Sequence, residues 1–590
     1  MRLTRPLVLL ASAATVGAVA LVASSGPAEA LSGTPTFTNL AAPSTLSGSD
    51  NAGEPSLGVN GNTNAMMYMS GTSTYKITVN ANGTPTWTDV TPPGSVANLD
   101  PILATDRTTG RTFAGGLAGE CSQLSYSDND GGSWSPVGNA CAGVIDHESI
   151  GSGPWHGSAP LGSTYSRAVY YCAQNGNDSC VTSSNGGVSF GAPALVSGAC
   201  SSLHGHIKVS ADGTAYLPNA HCGGLAGGGI TTNNGSSWSS YTIPGSSEPT
   251  NGFDPSVATT PDNTVYEAWQ GANNHPMVAF SKTHGSTWSA PVDLGTTYST
   301  PIVTSTFQAV TAGDNGRVAV AYLGSTTGGD PFASGWPGVW DLYVSYTYDG
   351  GATWTTVKAT TDPVQRGWMC ASGTTCNSGR NLLDFMDANV LKDGRVVVGY
   401  ADGCINACAA ANGTEAQSTD AYATVAYQSA GRGLFAAYDT TPSPSPTTAS
   451  PSPSATPTAT PSPTASATTP TDPDPATPTV TSGQTRTATS GASGSYQYTK
   501  ILVPAGATQL KVTLTGPSCG ALGLMCNPDL DLYVGNGSKP TTSSNSGSSA
   551  STGNSESVTV ANPAANYWYI GVYVYSGSKS ASYTVTATVS

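Results

Sequence analysis

Carboxylates stand at the head of one strand-like segment after another in this 590-residue chain. Glu54 precedes Pro55-Ser56-Leu57, Asp100 precedes Pro101-Ile102-Leu103, and Glu148 precedes Ser149-Ile150. Asp254 and Asp387 open Pro255-Ser256-Val257 and Ala388-Asn389-Val390 in the same way. Two carboxyls brought to one mouth can act as general acid and general base on a glycosidic bond. A closed pocket can push their pKa values apart. An acid before Pro or Ser also caps backbone N–H groups at a strand start, so each residue has a structural reading beside the catalytic one. The histidines are unevenly spread: His147, His156, His204, His206 and His221 fall in one stretch, with only His275 and His284 elsewhere. His204 and His206 share one face of a regular strand. An imidazole beside a carboxylate shuttles protons or binds a metal; packing around a cysteine-closed loop is the other reading. The candidate catalytic set is Glu148, Asp100, Asp254, His147 and His206.

These residues need elements that bring the segment heads together. Five short stretches are near-copies: Ser127 to Trp134 (SDNDGGSW), Ser183 to Phe190 (SSNGGVSF), Thr231 to Trp238 (TTNNGSSW), Ser281 to Trp288 (SKTHGSTW) and Thr347 to Trp354 (TYDGGATW). The short polar residues hold a turn through backbone N–H groups. The glycine takes the left-handed conformation, and the aromatic ring returns to the core. A spacing of roughly 50 residues indicates a repeat architecture. About 25 to 30 residues before each turn lies an acid-headed segment or its equivalent, including His206-Ile207-Lys208-Val209 and Gln308-Ala309-Val310. Alternating or continuously apolar runs of strand length follow, as at Asp393-Gly394-Arg395-Val396-Val397-Val398. Degenerate turns at Asn82-Gly83 to Trp87 and at Ser429 to Phe435 complete the count. Seven units of four short strands predict an all-β fold, a seven-bladed β-propeller over residues 31–439.

The repeated turn resembles the Asp-box, or BNR repeat, of sialidase-superfamily propellers, over roughly residues 35 to 438. The resemblance implies that the box lies on an outer hairpin, with ligands at the central mouth. Asp128, Asp130, Trp134, Trp238, Trp288 and Trp354 are then turn and core residues. Sialidases of that superfamily grip a carboxylate with three arginines, the first in an Arg-Ile-Pro-type motif. This chain instead opens its first unit with Gly53-Glu54-Pro55-Ser56. Paired acids, as in the superfamily's neutral-glycan hydrolases, are its candidate machinery.

Residues 1–30 read as a secretory signal: Arg2 and Arg5, an apolar stretch from Leu7 to Val22, then Ala28-Glu29-Ala30. No later apolar run is long enough to span a bilayer. The formal net charge of −15 excludes nucleic acid as a partner. Twelve cysteines behind an export signal imply disulfides. Sequence-local pairing gives Cys121–Cys141, Cys172–Cys180, Cys200–Cys222, Cys370–Cys376, Cys404–Cys408 and Cys519–Cys526. Residues 440–485 are a Pro/Ser/Thr-rich stretch that cannot bury enough surface to fold and makes a semi-rigid spacer. Residues 486–590 regain alternation and suggest a small β-sandwich. Asn527 to Val534 (NPDLDLYV) and Tyr567 to Val572 (YWYIGV) resemble the bacterial pre-peptidase C-terminal domain, which implies an accessory role. No cofactor is expected; calcium at Asp529 and Asp531 is weighed against their being outward polar positions of a strand.

The expectation is a secreted, monomeric glycoside hydrolase acting on an extracellular glycan or cell-surface polymer. The alternative is a non-catalytic glycan- or protein-binding propeller, with Trp155, Trp336, Trp340 and Trp368 as stacking platforms for sugars.

Overall fold

The repeated turns fold as their residue types require. In the computed structural model, the Ser127 hydroxyl accepts the Gly131 N–H at 2.9 Å. The same bond recurs from Gly187 to Ser183, Gly235 to Thr231, Gly285 to Ser281 and Gly351 to Thr347, at 2.9 to 3.1 Å. The side chain two residues after each hydroxyl accepts a second N–H, as Asn129 does from Ser133 at 2.8 Å. Gly131 lies at φ 80° and Gly351 at φ 91°, backbone that a residue with a Cβ rarely adopts. The aromatic residue closing each turn returns toward the sheets: Trp238 is buried edge-on to Tyr170, and the Trp134 indole N–H donates to Val90 O at 2.7 Å.

The description covers residues 33–439 and 474–589, apart from 81, 96–99, 120, 139, 143–145, 175–176, 199, 201–202, 249–252 and 411–415 in the first span, and 475–476, 505–506, 508, 518–527, 543–544, 551–553, 562 and 577–580 in the second. The proposed signal, most of the proposed spacer and the pair Cys519–Cys526 lie outside the described residues. The chain divides into two compact units, at Thr447/Thr448.

The first unit is all-β and propeller-like. Short antiparallel meanders follow one another. They begin with the strands Ser56–Val59, Pro101–Thr105, Asp146–Gly153, Lys208–Val209, Ser256–Thr259, Thr304–Ala312 and Asp387–Val390. The last meander takes its outer strand, Thr36–Ala41, from the beginning of the chain, pairing it antiparallel with Tyr422–Ala430. A parallel pair, Ala194–Ser197 on Trp238–Thr242, joins two meanders into one eight-stranded sheet. Each leading strand packs against the next, and Asp387–Val390 packs against Ser56–Val59.

Glycine permits this crowding. A Cβ built on Gly205 would lie 1.9 Å from Pro255 O, and one on Gly58 would lie 2.0 Å from Thr105 Oγ1. Because Pro255 O is backbone, it cannot swing aside. Gly205→Ala is expected to cost about 3 kcal/mol, as overpacking in a close-packed interior does. Denaturant unfolding measures this; an unchanged midpoint would show that the strands are not in contact there. Five of the six proposed disulfides form: Cys121–Cys141, Cys172–Cys180, Cys200–Cys222, Cys370–Cys376 and Cys404–Cys408.

The second unit has a five-stranded and a four-stranded sheet. Ile501, Leu532 and Ile570 of one and Leu514, Val585 and Ala587 of the other share a single apolar core. Its strand Thr479–Val480 pairs in parallel with Tyr496–Val503, so the folded unit takes in residues whose composition reads as spacer.

Candidate functional site

The chain enters the leading strands through strained backbone. Glu54 (φ 55°), His147 (φ 48°) and Phe307 (φ 57°) lie in the left-handed region without being glycine. Pairing slips beside two of them, between Asp146 and Ser149 and between Thr306 and Ala309. A bulge re-aims a side chain, and left-handed backbone costs roughly 1–3 kcal/mol per residue and concentrates at functional sites. Glu54 and the re-aimed His147, with Asp100, Leu203 and Phe253, line a cavity of about 650 Å³. The other wall is Ala371 to Thr374, Arg380, Leu383 and Asp384, from the segment before Asp387–Val390. The Cys370–Cys376 disulfide pins that segment, and Leu383 is again left-handed at φ 58°.

Electrostatics divide the acids. Arg380 forks Asp384, with Nη1 donating to Oδ1 at 2.5 Å and Nη2 donating to Oδ2. Burial works to raise the Asp384 carboxyl, but the fork and the guanidinium charge override it and hold it below the usual carboxylate range. Glu54 goes the other way. Burial first, then the charges of Asp384 and Asp100, push its carboxyl well above the ordinary value. The proximity of Asp384 thus favours the protonated form of Glu54, whose Oε2 has no hydrogen-bond partner among the described residues. Glu148 is likewise raised by burial and by Asp100. The Ser122 hydroxyl donates to its Oε1 at 3.2 Å, and its Oε2 is unpartnered among the described residues. His147 Nδ1 lies 3.0 Å from Asp254 Oδ1, a contact that orients the ring.

Asp100 and His147 thus line one cavity, with Asp254 behind His147 and Glu148 buried beside Asp100. His206 lines a different cavity, together with Asp387. Its Nδ1 is 3.9 Å from Asp387 Oδ2, its ring meets Phe385 edge-on, and burial lowers its pKa. Asp387 takes the structural role, accepting the N–H groups of Leu57 and Ala388. The other histidines of the stretch take no part in either cavity: the His156 main-chain N–H donates to Asn234 Oδ1 while its Nδ1 has no partner among the described residues, the His204 ring meets Gly205 O, and His221 pairs with Glu248.

Sequence reasoning missed Arg380 and Asp384. Their spacing of four residues beside a disulfide loop was the available signal, but nothing in it distinguishes a mouth from any other loop. It also misplaced the aromatic platforms. Trp155, Trp336 and Trp340 are buried at 8%, 6% and 0% exposure, because they fill gaps between sheets and their loops; the Trp340 indole N–H donates to Gly367 O at 2.9 Å. Trp368 is half-buried. In the second unit, burial and the neighbouring carboxylates Asp529 and Glu556 push Asp531 to about 6. No group of three or more His, Cys, Asp or Glu side chains among the described residues is placed to hold a metal ion.

Residues 495–573 match the family model of the bacterial pre-peptidase C-terminal domain. The second unit carries this domain. The pre-peptidase C-terminal domain of a Bacillus anthracis collagenase is similar to it at 11% identity and TM-score 0.15, covering 19% of this chain and 94% of that one. The intramolecular trans-sialidase of Ruminococcus gnavus matches at 13% identity and TM-score 0.32, over 60% of this chain and 91% of that one. A lectin of Aleuria aurantia matches at 14% identity and TM-score 0.33, over 52% and 94%. None of the curated proteins compared with the chain matches it.

Proposed function

We propose that the first unit is a seven-bladed, Asp-box β-propeller, exported from the cell, that hydrolyses glycosidic bonds of an extracellular glycan. The supporting observation is that Glu54 and Asp384 line one cavity with their pKa values shifted in opposite directions. Two neighbouring carboxyls with pKa values pushed apart make an acid and a charge-stabilising base. Glu54 protonates the leaving oxygen. Asp384, held ionised by Arg380, faces the positive charge that develops at the anomeric carbon. His147, oriented by Asp254, accepts the proton of the attacking water. The charge of Asp100 adds to burial and to Asp384 in raising the pKa of Glu54. The pre-peptidase C-terminal domain serves as an accessory unit outside the cell, in keeping with the five disulfides.

The test is release of reducing ends from a panel of neutral and acidic polysaccharides by the full-length protein. Product from at least one polymer, lost on Glu54→Gln, supports the reading. Turnover unchanged by Glu54→Gln, or no product from any polymer, overturns it. One observation favours a second reading, a non-catalytic glycan-binding propeller: the Arg380 fork occupies both oxygens of Asp384. Saturable binding of a glycan without product would establish that alternative.

A further inference from the structure

The leading strands have two ends, and the second end also opens on a cavity. Residues at the strand heads (Glu54, Asp100, His147, Phe253) line the acidic cavity. Residues at the far ends of the same strands, Thr105, Ser152 and Thr259, line another of about 240 Å³. At about 3.3 Å per residue, four or five residues of strand separate the two ends by roughly 15 Å.

The far cavity has the opposite character. Arg107, Arg167 and Lys208 line it, against the carboxylates Asp106 and Asp387. Both acids are spent internally. Asp106 Oδ1 accepts the N–H groups of Thr108 and Thr109 at 2.9 and 3.1 Å. Its Oδ2 accepts Arg167 Nε at 2.5 Å and the Ser152 hydroxyl. Asp387 accepts the backbone N–H groups already described. The cations are less committed. Arg107 donates through both Nη groups to the carbonyls of Val390 and Leu391, with the charge of Asp393 nearby. Arg167 uses Nε on Asp106, and its side chain is 18% exposed. Lys208 forms no ion pair among the described residues. The imidazole of His206 faces the same space, its Nε2 buried and without a hydrogen-bond partner among the described residues. In a chain of net charge −15, a concave site with three cations against two internally committed acids, one of the cations without an ion pair among the described residues, and with hydroxyls around it, is set up for an anion.

We infer that this second cavity binds a small oxyanion through Lys208, Arg167 and the surrounding hydroxyls. The chemistry is that of sulfate, of phosphate, or of the carboxylate of an acidic sugar. The volume suits one charged group and not a polymer chain. The inference does not depend on catalysis at the acidic mouth.

Isothermal titration of the full-length protein with sodium sulfate, and separately with sodium glucuronate, tests it at constant ionic strength set with chloride. Saturable one-site binding of either probe is expected. Lys208→Gln should weaken it roughly tenfold or more, the effect of losing one charge-assisted bond. Lys208→Arg, which keeps the charge, should retain it. Sulfate binding alone assigns a free inorganic anion; glucuronate binding assigns an acidic glycan. Absence of saturable binding by both probes overturns the inference. So does binding that Lys208→Gln leaves unchanged while circular dichroism shows a native fold.

Discussion

Glu54→Gln is expected to lower turnover on the substrate polymer by about 10²–10⁴-fold, the usual contribution of a positioned general acid. The substitution keeps the side chain's shape and its donor toward Asp384, so the fold should survive. What it removes is the transferable proton. The pH profile adds a sharper test. In the parent, kcat/KM should fall on the alkaline side as Glu54 loses its proton, at a pH well above the ordinary carboxyl range. Asp384→Asn deletes one of the charges that raise Glu54, so the alkaline limb of any residual activity should move to lower pH. A limb that stays in place would show that another group titrates, and a Glu54→Gln protein with full turnover would remove the residue from the chemistry.

The second large effect concerns stability. Glu267 is fully buried within the strand Val265–Gln270. The Tyr241 hydroxyl donates to its Oε2 at 2.6 Å, and Oε1 has no partner among the described residues. Burial pushes its pKa to about 8, from an ordinary 4.5. The folded-state value is the raised one. The associated stability is therefore fully present below pH 4.5 and is lost as pH rises toward 8, when the unfolded chain ionises and the folded one does not. The loss is about 1.4 kcal/mol per pH unit, on the order of 5 kcal/mol across the interval. Glu267→Gln should reduce the slope of stability against pH by that amount. Because the new amide hydrogens are buried without an acceptor, absolute stability at pH 5 should fall by about 1–3 kcal/mol. Burial raises Asp402 to about 7, with the same sign, so the parent should be most stable in mild acid. Chemical denaturation between pH 4.5 and 8.5 measures both slopes; an identical slope in Glu267→Gln would refute the assignment.

Much of the framework was legible in the chain. The polar-polar-Gly-aromatic stretches specified their turns because the bonds involved span four residues, a distance that sequence order controls. Ser127 to Gly131 is local chemistry, repeated wherever the pattern recurs. The five disulfides also closed between cysteines near one another in sequence, where loop closure is least costly. The acid-headed segments marked the leading strands, and two members of the predicted set, Asp100 and His147, line one cavity.

Other features depended on contacts between distant parts of the chain. Thr36–Ala41 completes a sheet with Tyr422–Ala430, and no local pattern announces a pairing across nearly the whole unit. Asp384 and Arg380 sit in a loop with no strand signal, yet Glu54 titrates against them because the last leading strand packs on the first. Three of the four tryptophans expected as platforms, Trp155, Trp336 and Trp340, went into the core, because an aromatic ring removes more apolar area from water there than on a loop. His206 followed its strand into the far cavity and away from His147. Residue types and their spacing determined which segments would become turns, strands and cross-links, since those choices rest on interactions between near neighbours. Which carboxyl would hold its proton was decided only by the tertiary structure, because burial and the charges of Asp100 and Asp384 reach Glu54 through space and not along the chain.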